Sequence, residues 1–179
     1  MEREIASEGL DLESLACSGD AAAFGKLIRE YDHELRGTAW SVVRDSHAVD
    51  DVMQQSYEKA FKAIKTFSQK STLKTWLHSI CYRTALDHVR YEGRRKHGKV
   101  EDMNYAETES DISLEDEVFV KMTLNEVLDQ TDPETRTLMM LTSGLGYTYD
   151  ETAEVTGVER GTIASRIGRA RAKLRKGES

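Results

Sequence analysis

Residues 49–99 read VDDVMQQSYEKAFKAIKTFSQKSTLKTWLHSICYRTALDHVRYEGRRKHGK, and the stretch changes character half-way. Its first part carries apolar residues at Val49, Val52, Met53, Tyr57, Ala60, Phe61 and Ile64. Steps of three and four predict a helix with one face on a core. The polar break Ser68-Gln69-Lys70-Ser71 interrupts that pattern. A second helix is predicted from Thr72 to Tyr91, burying Leu73, Leu77, Ile80, Cys81, Thr84, Ala85 and His88. Between Lys59 and Lys99 stand eleven Lys or Arg against two acids, Asp87 and Glu92. A net charge of +9 here, within a chain of net −7, is an electrostatic footprint for a polyanion.

Towards the N-terminus the balance reverses, with thirteen acids and five bases in the first 58 residues. Residues 1–10 read as a frayed acidic leader without the basic-then-apolar layout of a signal peptide. Leu12, Leu15 and Ala16 make a short amphipathic turn that stops at Ser18-Gly19. Asp20 is suited to cap a long helix that places Phe24, Leu27, Ile28, Tyr31, Leu35, Ala39 and Val42 on one side. Asp45-Ser46 ends it and caps the Val49 helix. The single proline in 179 residues supports an all-helical reading. No run approaches the roughly 18 apolar residues that span a bilayer, so a cytoplasmic location without membrane insertion is expected. Cys17 and Cys81 lack a CxxC spacing, and Cys81 reads as a buried, inert thiol. The five histidines are scattered without a ligand pattern. No catalytic residues, metal or cofactor are expected.

Towards the C-terminus, residues 100–118 hold eight acids and no Lys or Arg, which predicts a flexible linker. Val120, Leu124, Val127 and Leu128 begin a second helical unit. Asp132-Pro133 opens another helix carrying Leu138, Met139 and Leu141 and stopping at Gly144. Thr148 and Glu151 form a capping box, and Gly157 ends that short helix in the left-handed conformation. A last helix turns Ile163, Ile167, Ala170 and Leu174 inward and Thr162, Ser165, Arg166, Arg169, Lys173 and Lys176 outward. Helix, glycine turn, helix, with small Ala153 at the crossing, is a helix-turn-helix. Its basic outer face suits a major groove, although the same face also suits solvent. The expected fold is all-α: two small helical domains, 1–99 and 119–179, joined by the acidic linker 100–118.

The run from Asp50 to Arg90 resembles the polymerase-binding and promoter-melting region of bacterial sigma factors, most closely the compact extracytoplasmic-function kind. The resemblance rests on Asp50-Asp51-Val52-x-Gln54, the aromatic end at Phe67, the Thr75-Trp76-Leu77 entry and the Ala85-Leu86-Asp87-His88-Val89-Arg90 exit. A second run, Tyr149–Arg175, is similar to the upstream-element reader of the same family, especially at Gly161-Thr162-Ile163 and Arg169-Ala170-Arg171.

The resemblance implies a dissociable, non-enzymatic specificity subunit of RNA polymerase. Asp50, Asp51, Gln54 and Gln55 would meet the clamp of the largest subunit, although Asp50-Asp51 also suits a helix dipole. The C-terminal domain would meet the flap of the second-largest subunit. The loop Ser68, Gln69, Lys70 and Ser71 would hold a flipped base of the downstream element. Lys74, Trp76, Arg83, Arg90, Arg94, Arg95 and Lys96 would join it in contacting promoter DNA. Arg83 stands where relatives carry Asn, and either touches DNA or pairs with Asp87. Arg160, Thr162, Ser165, Arg166, Arg169 and Lys173 would read the upstream element. Ala164 and Gly168 fall where relatives carry larger side chains, and Glu159 replaces a small hydroxyl cap. The linker is either a solubilising tether or a nucleic-acid mimic threading the polymerase. An anti-sigma partner is implied as well. Two other classes use the same residues differently. An autonomous regulator would need a ligand pocket or dimer seam in the first half. A metal nuclease on Asp50 and Asp51 meets the difficulty that adjacent helical positions point about 100° apart.

Overall fold

The computed structural model describes residues 12–97 and 131–177, side chains excepted for 96–97 and 174–177. The leader before residue 12, the linker 100–118 and the Val120–Leu128 helix lie outside the described residues. Among the described residues every regular element is helical and no strand occurs.

A first turn, α1 (12–18), ends at Gly19, whose φ of 96° only glycine adopts freely. Asp20 then caps α2 (Ala21–Val43) by accepting from the Ala23 amide at 2.8 Å. Asp45 repeats the device for α3 (Ser46–Ala63), accepting from Ala48 at 2.8 Å. A single 3₁₀ turn, Ile64–Thr66, closes α3. After the break, α4 runs Leu73–His97, six residues beyond the expected Tyr91. Arg and Lys are good helix formers, and an Arg95–Glu92 pair at 3.1 Å supports the added turns. Leu35, Val52, Met53, Ile64, Leu77 and Cys81 are almost wholly buried where α2, α3 and α4 meet. Two expected core positions on α4, Ile80 and His88, are only half-buried, and Phe61 packs from outside on Phe24 at 5.2 Å between ring centroids.

In the C-terminal half Asp132 caps α5 (Pro133–Met139), with the proline in the first turn. The chain then widens into a π turn, Met140–Gly144, where one continuous α-helix was expected. The Leu145 amide reaches back to Met140 O at 2.9 Å, and that wider turn swings Leu141 away from Leu138 and Met139. The Thr148–Glu151 capping box starts α6 (Tyr149–Thr156), which Gly157 ends at φ 75°. The last helix, α7, spans Arg160–Gly177. Leu138, Met139, Ile163, Ile167 and Ala170 form a small core, with Ala153 packed at the crossing.

Leu141, Tyr147 and Val155 of the C-terminal half join the core of α2–α4 instead. A seam therefore forms between the halves. Ser41 and Thr137 hydroxyls meet at 2.9 Å, and Arg136 donates to Ser41 O at 3.4 Å. Gly37 lies under Met140, where a β-carbon would come within 2.5 Å of the Met140 methyl. One consequence falls on α4: besides its expected face it buries Thr75, His78, Ser79 and Tyr82.

Candidate polymerase and nucleic-acid interfaces

Asp50, Asp51, Gln54 and Gln55 are all exposed on α3. No acid stands in the first turn of α3, and the dipole effect fades beyond that turn. The partner of Asp50 is instead Arg36 of α2, at 2.7 Å, which also holds Asp32 at 3.0 Å. The Tyr57 hydroxyl donates to Asp32. Arg36 was not foreseen as part of this face. Its i,i+4 spacing to Asp32 is visible in the chain, but Asp50 is fourteen residues away. Among the described residues no group of three or more His, Cys, Asp or Glu is placed to hold a metal ion.

The break after α3 is a short open loop pinned at both ends. Phe67 closes the 3₁₀ turn and packs on the Trp76 ring, 5.2 Å between centroids. Thr72 accepts from the Thr75 amide at 3.1 Å and so caps α4. Between the pins Ser68, Gln69 and Lys70 are exposed and Ser71 half-exposed. Gln69 takes φ 54°, a left-handed conformation costly to a side-chain-bearing residue. Trp76, expected to touch DNA, is half-buried against Phe67.

Lys74 departs from the expected phosphate contact. Its ammonium lies 2.7 Å from Glu34 and 5.4 Å from the Tyr147 ring centroid, within the seam. Further along α4, Arg83, Arg90, Arg94 and Arg95 are exposed, and the Lys96 side chain lies outside the described residues. The Arg83–Asp87 alternative is resolved against the pair. Arg83 donates to Ser79 O at 3.1 Å and to Ser79 Oγ at 2.9 Å. Asp87 faces Lys59 at 3.9 Å and Arg90 at 3.6 Å. Ser79 itself is buried beneath Arg83.

On α7 the residues Arg160, Thr162, Ser165, Arg169 and Lys173 are exposed together, as their spacing implied, while the side chains of Leu174 and Lys176 lie outside the described residues. Arg160 reaches Asp150 across the turn at 3.4 Å. Arg169 Nε donates to Ser165 O at 3.3 Å, leaving its terminal nitrogens towards solvent. Arg166 differs from its expected neighbours. It is half-buried, pairs with Glu134 and lies 3.6 Å from Asp132, so it ties α7 to the start of α5. Burial raises the Asp132 carboxyl, but the Thr135 hydroxyl and amide together with Arg166 outweigh it and hold the pKa below the ordinary value. Arg166→Ala is accordingly expected to lower the stability of this half by about 1 kcal/mol. The measurement is thermal unfolding, and an unchanged midpoint would count against a structural tie. Burial also pushes the Cys81 thiol up to about 12, as an inert core cysteine requires.

Two helical units, one bearing a pinned polar loop beside an arginine-lined helix and the other a helix-turn-helix, present two separate basic faces. The comparisons give the class its family. Residues 27–95 match the model of Sigma-70 region 2, and residues 121–174 match that of Sigma-70 region 4. RNA polymerase sigma-H factor of Pseudomonas aeruginosa is 32% identical over 170 residues, covering 88% of this chain and 87% of the relative. The ECF RNA polymerase sigma factor SigM of Mycobacterium tuberculosis is 30% identical over 169 residues, covering 93% and 84%. Among solved structures, RpoE in complex with the anti-sigma factor NepR from Bartonella quintana superposes with a TM-score of 0.68 at 27% identity, covering 86% of this chain and 94% of that one. CnrH in complex with the cytosolic domain of CnrY gives 0.64 at 28% identity, covering 92% and 93%. The chain belongs to the extracytoplasmic-function sigma factors, transcription initiation factors of bacterial RNA polymerase. Among the described residues no helix is long and apolar enough to cross a membrane.

Proposed function

We propose that the chain docks on core polymerase through Asp50, Asp51, Gln54 and Gln55 and reads a promoter through two separate faces. The observation that carries this reading is the pairing of exposed basic helices with the two matched segments. Arg83, Arg90, Arg94 and Arg95 line α4 in the first, and Arg160, Arg169 and Lys173 line α7 in the second. Phosphate contacts from these bases would set register, and the loop Ser68–Ser71 would hold an unpaired base by its Watson–Crick edge. Thr162, Ser165 and Arg169 would enter the major groove. Residues 1–99 and 119–179 would act as separate units joined by 100–118. Polymerase binding would part the seam, and Lys74 would then be uncovered by Tyr147 while still beside Glu34. The second unit would rest on the flap of the second-largest subunit. The work would be done in the cytoplasm, where polymerase and promoter are. Control by an anti-sigma factor is supported by the likeness to RpoE, whose structure contains one.

Gln54 is exposed and outside every core cluster, so it offers a clean test of docking. Gln54→Ala should reduce recovery of core polymerase in a pull-down while leaving the helical circular dichroism unchanged. Equal assembly by the variant would remove that residue from the interface.

A further inference from the structure

We propose that the seam between the halves is an acid-labile latch: the chain closes only when His78 is neutral. The inference rests on the reading that the halves part in use, and it adds the chemical condition for parting.

His78 is on α4, at the level where the C-terminal half covers it, and its side chain is 0% exposed. One ring nitrogen, Nδ1, meets Thr38 Oγ1 of α2 at 2.8 Å. The other, Nε2, has no hydrogen-bond partner among the described residues, and neither has the Tyr147 hydroxyl. Tyr147, from the loop before α6, packs edge-on against the imidazole at 5.2 Å between centroids. The charged groups around the ring come from each packed element. From α2 comes Glu34, 3.7 Å from Nε2, and from α4 itself comes Lys74, 2.7 Å from the same Glu34 oxygen. From α6 comes Glu151, which acts on Lys74 and Tyr147 at longer range.

The arithmetic of charge decides the preferred state. Lys74 already neutralises Glu34, and Glu151 lies on the exposed side at longer range, so a neutral imidazole leaves the pair beside the ring without net charge. An imidazolium would leave it with one uncompensated positive charge, out of water, beside an ammonium. Burying such a charge is costly. Burial accordingly holds the imidazole down at about 4, with Glu34 pulling it upward and Lys74 pushing it further down. Once the C-terminal half leaves, Tyr147 no longer covers the ring, and the imidazole rises back towards its ordinary value. The sign follows: the closed state binds fewer protons than the open one. Closure has its full strength above pH 6.5 and loses it as pH falls from 6.5 towards 4. Acidification from pH 7.5 to 5.5 should raise the open-to-closed ratio, by up to about tenfold when the ordinary value is fully restored on opening.

The test is a nuclear magnetic resonance titration of His78 in the full chain, assigned by the signal lost in His78→Gln. Small-angle scattering records the radius of gyration of the same samples. Wild type should titrate far below 6.5. Gly37→Leu, which drives a side chain into Met140, should expand the chain and return the His78 pKa towards its ordinary value. Met140→Glu parts the same contact from the other side and serves if the first variant does not fold. An ordinary pKa in compact wild type would overturn the latch, as would a depressed pKa that persists in an expanded variant. The titration needs neither polymerase nor promoter. A latch that fails therefore leaves the sigma reading intact, and a chain inactive in transcription leaves the latch intact.

Discussion

Leu141→Ala should destabilise the closed chain by about 2–5 kcal/mol, the range for emptying a fully buried leucine site. Leu141 is 0% exposed, and it belongs to the core of α2–α4 although it comes from the C-terminal half. The π turn Met140–Gly144 delivers it there, and neighbouring Met140 fills the space above Gly37. Because both halves share the site, the loss should appear as a shift of one cooperative unfolding transition. Calorimetry of wild type and variant reads it directly. Two resolved transitions, with only the smaller moved, would mean that the seam does not couple the halves.

The second large effect separates the two DNA faces. Arg169→Ala removes a forked donor from the exposed side of α7, and a lost bidentate base contact costs about 1–3 kcal/mol of discrimination. If Arg169 touches phosphate alone, binding should weaken alike on all sequences. Ser68→Ala combined with Gln69→Ala should spare closed-complex affinity and impair melting, since that loop would act only on a base already out of the stack. Permanganate reactivity of unpaired thymines, read beside closed-complex affinity on one promoter, distinguishes them. A loop variant that loses affinity yet melts whatever remains bound would contradict the division, and so would an Arg169 variant with full affinity and no opening.

Local chemistry was legible in the sequence wherever one side chain answers one backbone group. Asp20, Asp45 and Asp132 cap the helices they precede, and Thr148 with Glu151 forms the expected box. The buried stripes of α2 and α3 also follow their spacing, with Tyr31, Tyr57 and Phe61 at the edges. What spacing could not show was anything that depends on the second half lying against the first. Periodicity reports one buried face per helix, whereas α4 has a second, carrying His78 and Tyr82. For that reason Lys74 read as a free cation available to phosphate. Arg166 misled for a related reason: its angular place on α7 suits a groove, but the carboxylates that hold it stand more than thirty positions earlier. Arg36 bridging to Asp50 was hidden in a similar way, across fourteen positions.

The central claim, that this chain directs initiation only as part of polymerase, is tested most directly by run-off transcription with purified core enzyme. Duplex binding by the chain alone, at physiological salt, is measured beside it. The chain has a net charge of −7, with acidic segments flanking its basic faces, so weak binding by itself is expected. With core enzyme it should produce transcripts from a discrete set of start sites that share upstream and downstream elements. Nanomolar, sequence-specific duplex binding by the isolated chain, with no transcript that depends on adding it to core enzyme, would contradict the account and favour an autonomous regulator.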